Sequence, residues 1–169
     1  MRRVLDLLYD GAAALAALCM IGLLGMVLLS IVSRQLHFHV AGTDAYAGYL
    51  MAAAGFLALA HTLKRGEHIR VTLIVSALSG APRRALEVWA LFAATLLAVL
   101  SAFYACRLAW QSHAFNDVST GNDATPLWIP QLAFAAGTVI LAIAFADEFA
   151  LELRGRRRVM QSDELLHNE

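Results

Sequence analysis

The chain has 169 residues, of which 60% are hydrophobic and 15% are charged. Soluble domains average about 45–50% apolar and about 25% charged residues, so this composition excludes an ordinary soluble globular protein. The formal net charge is zero, which gives no indication of a nucleic-acid partner.

The distribution of the charges predicts the architecture. Stretches of 23, 19, 19 and 23 residues contain no Asp, Glu, Lys or Arg: 11–33, 45–63, 88–106 and 124–146. A helix rises 1.5 Å per residue, so about 20 residues cross the roughly 30 Å hydrocarbon core of a membrane. Lipid offers no hydrogen-bond partners, so each stretch must bond its own backbone as an α-helix. We predict an all-α integral membrane protein, a single domain over 1–169, with spans at about 11–33, 45–63, 86–106 and 125–147.

The first stretch needs a separate test because basic residues also precede the apolar core of a signal peptide. A secretory core has about 7–15 residues and is followed by small residues at the cleavage site. The stretch after Arg2 and Arg3 has 23 uncharged residues and ends at Ser33-Arg34. This length predicts a retained transmembrane helix.

The connection between the second and third spans is patterned. Its polar residues repeat at helical spacing, at Thr72, Ser76, Ser79 and Arg83, and most of the residues between them are apolar. A helix of this kind is too short to span, so we predict an amphipathic helix at about 68–79 that lies at the membrane interface. Pro82 is well placed to begin the third span. Residues 154–169 form a polar tail.

The basic residues predict the orientation of the chain. Eleven of the 13 Lys and Arg residues belong to the N-terminus, the middle connection and the C-terminal tail. The remaining two, Arg34 and Arg107, follow the first and third spans on the other side. Cytoplasmic loops carry an excess of Lys and Arg, so both termini and the middle connection are predicted to be cytoplasmic.

The remaining polar residues predict no catalytic, cofactor or metal site. Glu87 lies one turn from Arg83, which indicates an ion pair near the membrane edge. Small residues repeat at helical spacing, which favours close helix contacts. They lie at Gly48, Ala52 and Gly55 on the second span and at Ala90, Ala94 and Ala98 on the third.

Three local patterns point to a known family. They are Arg34 after the first span, the segment KRGEHIRV at 64–71, and the segment TPLWIPQ at 125–131 that opens the fourth span. Together with the four spans and the size, these patterns resemble the small membrane subunit of TRAP transporters, the tripartite ATP-independent periplasmic systems. The resemblance covers essentially the whole chain, and the segment at 64–71 is its most specific part.

The resemblance implies a role in transport without enzyme activity or a cofactor. The small subunit would bind a much larger inner-membrane subunit, one to one, within the lipid bilayer. That larger subunit would hold the substrate and sodium sites. A periplasmic binding protein would deliver an organic acid, such as a dicarboxylate or a sugar acid, and the sodium gradient would drive its import. The small subunit would serve as a scaffold.

Two groups of residues are candidates for contacts under this interpretation. The first would hold the large subunit or form a structural collar: Arg34, Arg65, Glu67, His68 and Arg70. The second would shape the entry of the fourth span: Pro126, Trp128, Pro130 and Gln131.

Two other classes of four-helix membrane protein remain as alternatives. A small proton-coupled antiporter would need an acid deep in the first helix, and 11–33 contains none. A haem-bearing electron-transfer subunit would need histidines facing each other at one depth. His37 and His113 are predicted on the outer side and His61 on the inner side, which disfavours this class.

Overall fold

The computed structural model describes residues 2–38, 40–65, 80–121 and 123–154. This part of the chain forms four helices: α1 (Arg2–Gln35), α2 (Thr43–Arg65), α3 (Ala81–Ala114) and α4 (Trp128–Leu153). Each helix is long and apolar enough to cross a membrane. The prediction of an all-α protein with four spans is therefore confirmed. The interfacial helix predicted at 68–79 and the polar tail after residue 154 lie outside the described residues.

Two of the helices are longer than the membrane requires. α1 and α3 each contain 34 residues. At 1.5 Å per residue they measure about 51 Å, against a hydrocarbon core of about 30 Å. Both helices therefore continue past the membrane core, and they carry charged residues such as Asp6 and Arg107 into the interfacial regions.

Prolines determine where the last two helices begin. Pro82 occupies the first turn of α3, where its missing N–H leaves no hydrogen bond unmade. α4 begins at Trp128 and not at residue 125, where the uncharged stretch predicted its start. Pro126 disfavours helical geometry at Thr125, whereas Pro130 falls within the first turn of α4 and is tolerated there.

The four helices pack as a row in the order α1, α2, α4, α3. α1 packs along α2, α2 packs against α4, and α4 packs along α3. α1 touches α4 only briefly, and within the described residues α1 and α3 do not pack on each other. The hairpin of α1 and α2 is therefore joined to the hairpin of α3 and α4 mainly through the contact between α2 and α4.

Small residues allow the close contact between α2 and α4. Gly137 of α4 lies against the backbone of Phe56, and the Phe56 and Phe134 rings meet edge to face. Most of the buried hydrophobic side chains of these two helices are alanines: Ala53, Ala54, Ala60, Ala135 and Ala144. Without bulky side chains between them the helix backbones approach closely, as is common in membranes.

The small-residue pattern predicted on α2 does not form this contact. Gly48, Ala52 and Gly55 are all exposed, so the prediction for this helix is wrong. On α3 the pattern is divided, because Ala98 is buried and Ala90 is exposed. Alanine and glycine occur on more than one face of these helices, and spacing alone does not identify the face that meets a neighbour.

A large apolar surface remains on the outside of the row. In the most apolar window of α1 only 6% of the residues are buried, compared with 28% in α2 and in α4. Leu24, Leu97 and Trp110 are among the large side chains that point outward. This surface fits a lipid environment or a membrane partner.

Candidate functional site

The helix hairpins divide the polar residues between two ends of the row. The loops at 36–42 and 115–127 lie together at one end, which we call the loop face. The opposite end, called the terminal face, contains the starts of α1 and α3 and the ends of α2 and α4. Each face has its own cluster of interacting side chains.

A charged cluster connects α1 with α2 at the terminal face. Lys64 Nζ lies 2.7 Å from Asp6 Oδ1, and His61 Nδ1 lies 3.4 Å from Asp10 Oδ1. The two acids are four residues apart, so they share one face of α1. The two basic residues are three apart, so they share one face of α2. Asp6 and Lys64 remain partly exposed, and such ion pairs stabilise by only about 0–1 kcal/mol. The cluster fixes the alignment of the two helices more than it adds stability.

Tyr9 extends this cluster toward α4. Its side chain is 4% exposed and packs with Ala60 and Leu63 of α2 and Ala144 of α4. The Lys64 ammonium lies 5.8 Å from the centre of the Tyr9 ring. Among the described residues the Tyr9 hydroxyl has no hydrogen-bond partner. Tyr9 is therefore a packing residue that brings three helices together at the terminal face.

A hydrogen-bonded cluster connects the two loops at the loop face. Asp123 accepts hydrogen bonds from the Ser119 hydroxyl at 2.7 Å and the Tyr49 hydroxyl at 3.1 Å. The Thr125 hydroxyl donates to the Tyr46 hydroxyl at 3.0 Å. Tyr46 and Tyr49 belong to the start of α2, so these bonds hold the loop between α3 and α4 against α2. We call these five residues the loop-face cluster.

The loop-face cluster favours the ionised form of Asp123. The hydrogen bond from Ser119 is the largest cause that lowers the pKa of Asp123 below its usual value of 3.8, and Thr125 and Tyr49 act in the same direction. A carboxylate with this pKa is charged throughout the neutral range. Gly42 adds a steric requirement, because it has a φ of 80° and a Cβ there would lie 2.7 Å from the Asp123 Cβ.

The loop between α3 and α4 is also closed by its own backbone. The amide of Ser119 donates to the carbonyl of Thr125 at 2.8 Å, and the amide of Leu127 donates to the carbonyl of Asp117 at 3.0 Å. Pro126 bridges to Val118 within this arrangement. The segment at 125–131, which carries the resemblance, thus builds one side of a closed loop as well as the start of α4.

The fourth-span residues occupy distinct positions in this arrangement. Trp128 contacts the ring of His113 edge to face, with 5.4 Å between ring centres, which ties α4 to α3. Pro130 lies in the first turn of α4. Gln131 is half-buried, and its Oε1 has no hydrogen-bond partner within the described part of the chain. The structure therefore brings Pro126 and Trp128 to the loop face, next to the loop-face cluster.

Two of the residues predicted to contact the large subunit, Arg34 and Arg65, belong to the described part of the chain, and they lie at opposite faces. Arg34 ends α1 at the loop face, whereas Arg65 ends α2 at the terminal face. Glu67, His68 and Arg70 lie outside the described residues. Arg34 therefore belongs to a different surface from Arg65.

Several interacting residues were missed in the sequence. Asp6 and Asp10 precede the first uncharged stretch, and His61 and Lys64 lie at the end of the second. Because the two spans run antiparallel, these residues lie at the same membrane face, and this position could have predicted the two pairs. Asp123 had no such signal, since its partner Tyr49 is 74 positions away. The ion pair predicted between Arg83 and Glu87 is confirmed, with Nε and Oε1 3.2 Å apart.

A comparison with protein families identifies the chain. Residues 23–155 match the family described as tripartite ATP-independent periplasmic transporters, DctQ component. The chain belongs to the DctQ family. The match covers the last part of α1, from residue 23, and all of α2, α3 and α4, together with the loop-face cluster. A comparison with curated proteins finds no match.

Membership in the DctQ family confirms the resemblance found in the sequence. The chain is a small permease subunit of a TRAP transporter, a multi-pass inner-membrane protein that works within a complex. The family consists of transporter components. The matched residues include His61 and Lys64 but not Asp6, Tyr9 or Asp10. The cluster at the terminal face thus joins the matched part of this DctQ subunit to the residues before it.

Proposed function

We propose that this DctQ subunit is the static scaffold of a sodium-driven importer of an organic acid, a dicarboxylate or a sugar acid. It binds the large membrane subunit one to one, and that subunit holds the substrate and sodium sites. A periplasmic binding protein delivers the substrate. The observation that supports a scaffold most strongly is the uninterrupted apolar character of all four helices at mid-membrane depth.

A transport site within this subunit would require a recognisable feature in its membrane-spanning helices. Carriers bind substrate and ions near the membrane midplane with unwound helices or with charged residues in the membrane interior. In this DctQ subunit the charged residues lie toward the helix ends, and the four described helices continue unbroken. The hydroxyls of Thr95 and Thr138 donate to backbone carbonyls of their own helices, at 2.7 and 2.8 Å. Substrate handling therefore fits the large subunit.

The row of helices suits a scaffold. Two hairpins joined side by side present broad apolar faces, and α1 and α3 form the opposite edges of the row. One face of such a row can contact lipid while the other supports a partner subunit. The cluster at the terminal face aligns α1 with α2, and the loop-face cluster holds the loop between α3 and α4 against α2, so that the partner would meet a rigid surface.

The orientation is also part of the proposal. We place the terminal face in the cytoplasm and the loop face in the periplasm, supported by the eleven Lys and Arg residues on the terminal side. In a background with Cys19→Ala and Cys106→Ala, we expect Thr120→Cys to react with an impermeant thiol reagent added to spheroplasts. Arg154→Cys should react only after the membrane is opened. Labelling of Arg154→Cys in intact spheroplasts would reverse the orientation.

The residues after α2 allow a test of the scaffold itself. We propose that His68 and Arg70 provide polar contacts to the large subunit. His68→Ala or Arg70→Ala should lower the affinity for the large subunit by about 30-fold or more, and with it co-purification or the uptake rate, because removing one partner of a buried charged hydrogen bond at an interface costs about 2–5 kcal/mol. The preference between two competing organic acids should stay unchanged.

Arg84→Ala is the matched control for this test. Arg84 is an exposed basic residue at the start of α3, on the same side of the membrane. Its replacement should leave both co-purification and uptake near the native level. A changed substrate preference in His68→Ala or Arg70→Ala would place these residues beside a substrate site and contradict the scaffold role.

A further inference from the structure

A groove opens at the loop face where α1 ends and α2 begins. Its volume is about 250 Å³, and it is lined by Val27, Ser30, Ile31, Arg34, Gln35 and Asp44. The Ser30 hydroxyl donates to Asp44 Oδ1 at 3.3 Å, which links the two helices across the groove. Val27 and Ile31 are both exposed, so the groove continues into apolar surface along α1.

The groove carries one charge of each sign, and each charge remains open to a ligand. Within the described part of the chain neither Arg34 nor Asp44 forms an ion pair. Arg34 lies in the last turn of α1 and Asp44 in the first turn of α2, where the helix dipoles favour their charges. The guanidinium of Arg34 and one carboxylate oxygen of Asp44 are therefore available for further hydrogen bonds.

The depth of the groove matches the headgroup region of a bilayer. Arg34 directly follows the uncharged stretch at 11–33, and Asp44 directly precedes the stretch at 45–63. Both charges therefore lie where the hydrocarbon core ends and lipid phosphates begin. Below them, Val27 and Ile31 provide an apolar wall for an acyl chain.

From this arrangement we propose that the groove between α1 and α2 binds a phospholipid with a primary ammonium headgroup, of the phosphatidylethanolamine class. The Arg34 guanidinium donates two parallel hydrogen bonds to the lipid phosphate. The lipid ammonium donates to the carboxylate of Asp44, and one acyl chain lies along Val27 and Ile31. This inference does not depend on the proposed scaffold function.

The two charges distinguish between lipid headgroups. A phosphatidylglycerol has the phosphate but no cation for Asp44, so it gains only the Arg34 contact. A phosphatidylcholine has a cation without N–H donors, and its methyl groups cannot hydrogen-bond to the carboxylate. The complementary charges therefore favour the primary ammonium over both alternatives.

Native mass spectrometry of the full chain tests this proposal. Lipids with these three headgroups and identical acyl chains are titrated separately into the detergent-solubilised protein. The phosphatidylethanolamine should bind about tenfold more tightly than the phosphatidylcholine, because a charge-assisted hydrogen bond contributes more than 1.4 kcal/mol. Asp44→Asn should abolish the preference for the ammonium headgroup and retain phosphatidylglycerol binding, while Arg34→Ala should weaken both lipids.

Further variants and a competitor test the lipid assignment even if Arg34→Ala or Asp44→Asn folds poorly. Arg34→Lys keeps the charge without the planar fork and should reduce binding less than Arg34→Ala. Arg107→Ala and Asp117→Asn alter exposed charges away from the groove and should leave lipid binding unchanged. Inorganic phosphate should not displace the lipid, since the acyl chain contributes to binding.

Three outcomes would overturn the assignment. They are equal binding of the three headgroups, an equal loss of lipid in Arg107→Ala, or full displacement by inorganic phosphate. A fourth would do so as well: if Arg34→Ala retains lipid and instead loses the large subunit, then Arg34 is a subunit contact.

Discussion

Gly137→Ala is expected to destabilise this DctQ subunit more than an alanine at any other glycine of its four described helices. A Cβ at position 137 would lie 2.7 Å from the carbonyl carbon of Phe56 and 2.8 Å from its oxygen. These are backbone atoms of α2, so no side-chain rotation can relieve the contact. The helices α2 and α4 must separate, and overpacking of this kind costs about 1–3 kcal/mol.

The position of Gly137 between the two hairpins increases the expected effect of a substitution there. The contact between α2 and α4 is the main connection between the two hairpins, so a displacement there changes the width of the whole row. The T-shaped contact of Phe56 with Phe134 would be lost at the same time. We expect Gly137→Leu, which adds a larger side chain, to have a stronger effect than Gly137→Ala and to prevent assembly with the large subunit.

Thermal unfolding of the purified complex measures this prediction. Gly55→Ala serves as the control, because Gly55 is a helical glycine of α2 with no atom within 4 Å of the added Cβ. That variant should unfold at or slightly above the native temperature, since alanine favours helix formation over glycine. Equal melting temperatures for Gly137→Ala and Gly55→Ala would show that α2 and α4 do not pack as described.

The sequence predicted the helices of this protein far better than their contacts. The four spans could be predicted because lipid imposes one requirement, a self-bonded apolar segment of sufficient length. The face of each helix that contacts a neighbour could not be predicted, because alanine and glycine are spread around α2. The exposed pattern at Gly48, Ala52 and Gly55 is as regular as the pattern of buried alanines. The close contact at Gly137 could not be predicted from the sequence, because it depends on Phe56 of another helix.

Among the polar contacts, those within one helix could be predicted from the sequence and those between distant segments could not. The pair Arg83 and Glu87 was predictable because both residues share one helix and one face. The contact of Tyr49 with Asp123 joins segments far apart in the sequence and depends on how the loop between α3 and α4 folds back. The alternation of helix direction puts Arg34 and Arg65 at opposite faces, which agrees with the separate sides predicted for them from the distribution of basic residues.

The two clusters and the contact between α2 and α4 would have complementary roles in the proposed scaffold. Asp6, Tyr9 and Lys64 fix α1 against α2 at the terminal face. Asp123 and Tyr49 fix the loop between α3 and α4 against α2 at the loop face. α2 takes part in both clusters and in the contact with α4, so it is the helix on which the alignment of the other three depends. A partner that moves substrate would then move relative to a frame held at both membrane faces.

Transport reconstituted in liposomes should depend on this subunit without being performed by it. The protein alone should move no organic acid under an inward sodium gradient, because the four described helices offer neither a charged residue nor an unwound segment at mid-membrane depth to bind one. Uptake should appear when the large subunit and the loaded binding protein are added. Omitting the small subunit from that mixture should reduce uptake to the background measured without a gradient.

The stoichiometry and the negative controls complete this prediction. The apolar surface of the row must be covered by a partner or by lipid, so we expect a one-to-one complex with the large subunit, measured by its mass in detergent. A sodium ionophore should abolish uptake by the complete system, and dicarboxylates and sugar acids should be tested as separate substrates. Uptake by the small subunit alone would refute the scaffold assignment, because a substrate path would then have to run through its own helices. A tight homodimer that does not bind the large subunit would instead favour the small proton-coupled antiporter.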